Sequence, residues 1–129
     1  MIGRFVKPWN FTTTATAAQT KTFTTASHAD VEGIAFANTA VEIEVVITAS
    51  ASNYYAYSYR CIFNFNLVGG VLTYKNAGTP TVVGSMAVAP TIGMSVTASP
   101  AATLSIAAGD TLSTRWDVEM RVRMYDSAI

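Results

Sequence analysis

Charge is the scarcest feature of this sequence. Asp, Glu, Lys and Arg make up 12% of its 129 residues, about half the share of an ordinary soluble domain. A small monomer with so few charges must cover itself with Thr, Ser, Asn and Ala, so part of the surface is expected to lie against another chain. The 8 basic residues are matched by 8 acidic ones, for a formal net charge of +0. That balance excludes the basic footprint of a nucleic-acid-binding protein, and no acidic tail is present. Cys61 is the single cysteine, which rules out an intrachain disulfide and a cysteine-based zinc cluster. It lies among aromatics in YRCIFNF, the setting of a small buried hydrophobe. No apolar run approaches the roughly 20 residues of a membrane helix. The opening MIGRFVKPWNF has neither the apolar stretch nor the small-residue cleavage site of a signal peptide, so synthesis in a reducing cytoplasm is expected.

Strong helix formers are also sparse, and β-branched Thr and Val dominate. Alternation with a period of two recurs instead. In VEIEVVITA, residues 41, 43, 45 and 47 put Val and Ile on one side of a strand, with Glu42 and Glu44 on the other. In YYAYSYRCIFNFNL, Tyr55, Tyr57, Tyr59, Cys61, Phe63, Phe65 and Leu67 share a face, which predicts a half-buried antiparallel strand. Gly69-Gly70 in VGGVLTY predicts a tight hairpin. Further strands are expected over 81–86, 94–98, 103–107 and 112–125, with breaks at 76–78, Pro90, Pro100 and Gly109-Asp110. Short strands punctuated by turns predict an all-β fold, an antiparallel β-sandwich or jelly-roll-like barrel occupying residues 20–129. Residues 1–19, rich in Thr and Ala and interrupted by Pro8, are expected to form an extended N-terminal arm outside the core.

Few residue groups carry chemistry. His28, Asp30 and Glu32 in SHADVE share a strand face at spacings that suit a divalent cation, but no second histidine completes a zinc site. Ser27, His28 and Asp30 have the residue types of a triad, yet adjacent strand residues point to opposite faces and diverge. The carboxylate pairs Glu42/Glu44 and Asp117/Glu119 alternate with apolar residues, the pattern of a sheet face and not of a glycosidase cleft. LVGGVLTYK lacks the spacing of a phosphate loop. No catalytic residue, metal or cofactor is therefore expected. Tyr54 and the arm residue Trp9 are candidates for exposed aromatics that stack on a ligand.

The last strand sharpens the reading. In RWDVEMRVRMY, Trp116, Val118, Met120, Val122 and Met124 face inward, leaving Arg115, Asp117, Glu119, Arg121 and Arg123 on the other side. Glu42 and Glu44 carry the complementary sign. Two arrangements follow: Arg121 and Arg123 face Glu42 and Glu44 within one sheet, the preferred one, or they do so across a subunit boundary. Candidate assembly residues are thus Glu42, Glu44, Arg121 and Arg123, with Phe5, Trp9 and Phe11 on the arm.

Taken in order, VEIEVVITA, YYAYSYRCIFNF, TPTVVGS, LSIAAGDTLSTRW and RWDVEMRVRM resemble the small all-β modules of bacteriophage virion proteins, over about residues 40–125. LSIAAGD is also similar to the strand-turn of trimeric jelly-roll domains, where Gly-Asp makes the turn. The resemblance implies a non-enzymatic virion protein, assembled in the host cytoplasm and forming a homotrimer. Its partner would be the major capsid protein or another virion protein, with no nucleic acid and no membrane. Because the sequence opens at its own Met1 with no shaft before it, a capsid decoration or cement protein is expected, its arm lying across neighbouring subunits. The alternative the resemblance allows is a receptor- or glycan-binding tail-fibre tip.

Overall fold

The computed structural model describes residues 3–24, 38–53, 55–68, 71–84, 88–98 and 101–126. The strands, in chain order, are β1 (Gly3–Thr13), β2 (Gln19–Thr24), β3 (Asn38–Ala51), β4 (Ala56–Val68), β5 (Val71–Ala77), β6 (Thr81–Gly84), β7 (Thr91–Ala98), β8 (Ala101–Ala107) and β9 (Thr114–Asp126). They form two antiparallel sheets. The larger runs β1-β9-β3-β4-β5, with β6 also pairing β4, and the smaller runs β2-β8-β7. The fold is an all-β sandwich. The barrel half of the expectation is corrected: among the described residues no strand of one sheet is hydrogen-bonded to the other, so the sheets face each other with open edges and do not close into a barrel.

The alternation read from sequence sets the inner faces. On β3, Val41, Ile43, Val45, Ile47 and Ala49 are buried, as are Tyr57, Tyr59, Cys61, Phe63, Phe65 and Leu67 on β4. The inward row of β9, from Trp116 to Met124, is equally closed off, and Ala102, Leu104 and Ile106 of β8 meet these rows from the other sheet. Tyr55 was expected on the same face but precedes the strand and is half exposed. The long strands β3, β4 and β9 are neighbours because each offers a complete apolar row, and only their adjacency lets one small sheet cover all three.

Two turns show why the chain bends where it does. Val68 and Val71 are directly opposite, so the β4–β5 connection is two residues long; Gly69 and Gly70 themselves lie outside the described residues. Between β8 and β9, Asp110 Oδ1 accepts a bond from the Leu112 amide (3.1 Å), and Thr114 Oγ1 donates to the Leu112 carbonyl (3.0 Å). A Cβ at Gly109 would sit 2.5 Å from the Val88 carbonyl oxygen. The turn that carries the chain from one sheet to the other therefore lies directly on the segment leading into β7.

The N-terminal expectation is corrected most. Residues 3–13 are not an arm outside the core but strand β1, paired with β9 along its whole length, from Gly3 opposite Met124 to Thr13 opposite Thr114. Its inner row, Phe5, Lys7, Trp9 and Phe11, is half-buried, while Arg4, Val6, Pro8, Asn10 and Thr12 face outward. Lys7 interrupts the apolar row and hides the period. Pro8 is tolerated because β1 is an edge strand, where a missing N–H breaks no ladder on the open side. Trp9 stacks on Phe11 (centroids 4.3 Å apart), and Phe11 on Trp116 (5.9 Å). The Trp116 indole donates to Thr13 Oγ1 at 2.9 Å, with both groups buried. Strand β2, unexpected from its polar sequence QTKTFT, pairs along the edge of β8. There Thr22 and Thr103, directly opposite each other, join their hydroxyls at 2.8 Å.

Candidate assembly surfaces

The charged residues of the chain's last strand meet their partners on the outer face of the large sheet. Register places Glu42 opposite Arg123 and Glu44 opposite Arg121. Arg123 Nη1 lies 2.8 Å from Glu42 Oε1, and Arg121 Nη1 3.2 Å from Glu44 Oε1. Arg121 also binds Glu119 on its own strand, Nη2 to Oε2 at 2.7 Å, and Arg60 on β4 approaches Glu44 at 3.9 Å. Of the two arrangements open from sequence, pairing within one sheet is the one that forms. Glu44 is the pivot: its side chain is only 12% exposed, held between Arg121 and Arg60. The hydrogen bond to Glu119 raises Arg121 further above its usual range, and the bond to Glu42 does the same for Arg123. Both were fully protonated already, so the ladder adds orientation and not a titration. Asn10, opposite Asp117, donates to its Oδ1 at 3.1 Å once its amide nitrogen is turned toward that oxygen.

The sheet edges differ in how they are guarded. An edge strand presents unpaired N–H and C=O groups to any other strand, and charges, prolines or bulges usually block it. On β1, Lys7 and Pro8 do so, and on β5 there is Lys75 and a register shift opposite Asn64/Phe65. Strand β2 carries Lys21. Strands β6 and β7 carry no charged residue and no proline. Among the described residues each is paired on one side only, β6 to β4 and β7 to β8. All four β6 residues are exposed, Val83 to 66%. On β7, Ile92, Met94 and Val96 pack against the core but remain half-buried. Val68 and Val71, opposite each other at the tip of the β4–β5 hairpin, are both 55% exposed.

The candidate residues thus separate into groups. Glu42, Glu44, Arg121 and Arg123 come together in one ladder, while Phe5, Trp9 and Phe11 lie on the inner side of β1 and pack against the core. Tyr54, the stacking candidate, lies outside the described residues, as do Ser27, His28, Asp30 and Glu32. Among the described residues no three His, Cys, Asp or Glu side chains gather where a metal ion could be held. Sequence reading passed over β6 and β7 as surfaces. The signal available was the run 81–84 and 91–98 without a charge or a proline, which becomes informative only once those strands are known to be edges.

Comparison of the chain with protein-family models, with curated proteins and with solved structures gave no match.

Proposed function

We propose that this protein is a non-enzymatic structural subunit that works by contact with other protein chains. Its setting in this reading is a bacteriophage virion, where it binds as a homotrimeric decoration or cement protein to the capsid shell. The observation that carries the assembly role is the pair of unguarded edges. Among the described residues, β6 and β7 leave one row of backbone groups open, with exposed valines on β6 and half-buried apolar side chains on β7, although the chain guards β1, β2 and β5 with lysine, with proline or with a bulge. An uncharged edge suits a permanent neighbour, whether another copy or a shell subunit, because strand addition satisfies the backbone and closes the apolar row together. The virion setting rests on the order of strand motifs described above. The low charge density fits both.

Light scattering on the purified protein tests the reading. The expected mass is that of three copies of 13.7 kDa, and Val83→Lys or Ser95→Lys, each placing a charge on an open edge, should yield smaller species that remain folded. Shells carrying the protein should withstand higher temperature than bare shells, by mass action on the assembled state. A monomer at all concentrations, unaffected by both substitutions, would remove the assembly reading.

A further inference from the structure

We infer that the outer groove between β1 and β9 is a docking site for a carboxylate side chain of a protein partner, bracketed by Arg4 and Arg123. The inference rests on the proposed assembly role and gives it a chemistry. Arg4 and Arg123 are directly opposite each other in the β1–β9 register, which puts their Cβ atoms about 5 Å apart on one face. Like charges in that position repel, and an anion placed between or above them would offset the repulsion. Arg123 has Glu42 as its partner at 2.8 Å. Arg4 is exposed, and among the described residues no carboxylate reaches it.

The arithmetic of the face leads to the same place. Arg4, Arg60, Arg121 and Arg123 stand in adjoining rows with Glu42, Glu44 and Glu119. Signs alternate from Arg60 to Glu44 to Arg121 to Glu119, and again from Glu42 to Arg123, and then the pattern ends on Arg4 with no acid after it among the described residues. The ladder is one carboxylate short. The groove beside that gap holds roughly 300 Å³ and is lined by Arg4, Phe5, Val6, Arg121, Val122 and Arg123. On the outward side the groove presents the guanidiniums of Arg4, Arg121 and Arg123 beside the exposed Val6, while Phe5 and Val122 turn their side chains inward; planar N–H forks of this kind match a carboxylate. A nucleic-acid backbone is a poor occupant, since the chain has formal net charge +0 and the groove spans only two strands.

The test uses the full chain at low ionic strength with hexaglutamate as probe, followed by chemical shifts of the Arg side-chain N–H groups and by Tm. Hexaglutamate should perturb Arg4 and Arg123 and raise Tm. Arg4→Gln should weaken the response at least tenfold while leaving the fold unchanged. Arg4→Glu should itself raise Tm at low salt, by supplying the missing carboxylate within the chain, and should abolish the response. The site is overturned if wild type and Arg4→Gln respond alike. It is overturned as a protein-docking site if inorganic phosphate at equal charge binds more tightly than the peptide. A wild-type monomer that still binds hexaglutamate through Arg4 would remove the assembly reading and keep the site, so the two can fail separately.

Discussion

Replacing Trp116 by alanine probes the joint between the first and last strands. Trp116 is fully buried and is the bulkiest fully buried side chain of the core. Truncating such an aromatic costs about 3–5 kcal/mol, from lost burial and the cavity left behind. The indole N–H also ends on Thr13 Oγ1, so the truncation leaves a buried hydroxyl without its donor. With roughly 4 °C of Tm per kcal/mol in a domain of this size, the expected fall is roughly 12–20 °C. Trp116→Phe separates the contributions, since it keeps most of the apolar area and removes the donor, for a loss of about 1–2 kcal/mol. A double-mutant cycle with Thr13→Val should then return a coupling of about 1 kcal/mol between residues 103 positions apart. Calorimetry or circular dichroism melts provide the readout. A Tm within about 2 °C of wild type for Trp116→Ala, on the scale just used, would refute the inward face of β9. Zero coupling in the cycle would refute β1 as its neighbour.

Other outcomes follow from the same packing. Deleting residues 1–13 should lower Tm and promote aggregation, because it uncovers the open edge of β9; a truncated chain as stable as the full one would return this segment to the status of an arm. Gly84→Ala should detach β6, since Gly84 has φ of 90° and a Cβ there would lie 2.3 Å from the Ala56 carbonyl oxygen; faster amide exchange across residues 57–60 is the check. Cys61, buried beneath the Gly78 carbonyl, should react with thiol reagents only as fast as the protein opens, and immediate native-state labelling would contradict its burial. Burial first, then the neighbouring Cys61 thiol, pushes the Tyr59 phenol well above its usual value near 10, and burial raises Tyr57 too. The unfolded chain therefore loses these protons first as pH rises. Their contribution is complete below pH 10 and declines above it, by up to about 1.4 kcal/mol per pH unit and group. Tyr59→Phe should flatten that alkaline decline in a urea-melt series.

How much was legible depends on whether the signal was local. The faces of β3, β4 and β9 could be read directly, because strict alternation over nine or more residues leaves one way to bury the apolar side. The partnership of Glu42 and Glu44 with Arg121 and Arg123 was also open to reading, since the two strands offered complementary signs at matching spacing. Strand β1 was not, because Lys7 breaks its apolar row and proline argues against a strand until the strand is known to be an edge. Strand β2 had no periodic signal at all; it exists because β8 offers it an edge.

The sequence by itself determined that this chain is all-β, which faces of its long strands are inward, and where several of its turns fall, because those follow from the two-residue period of a strand and from turn chemistry. Tertiary structure alone decided the order of the strands, the recruitment of residues 3–13 into the sheet, which edges stay unguarded, and that Arg4 comes to rest opposite Arg123. Those are pairings between residues tens of positions apart. Pairing is chosen by the fit of whole faces, and no local pattern carries that information.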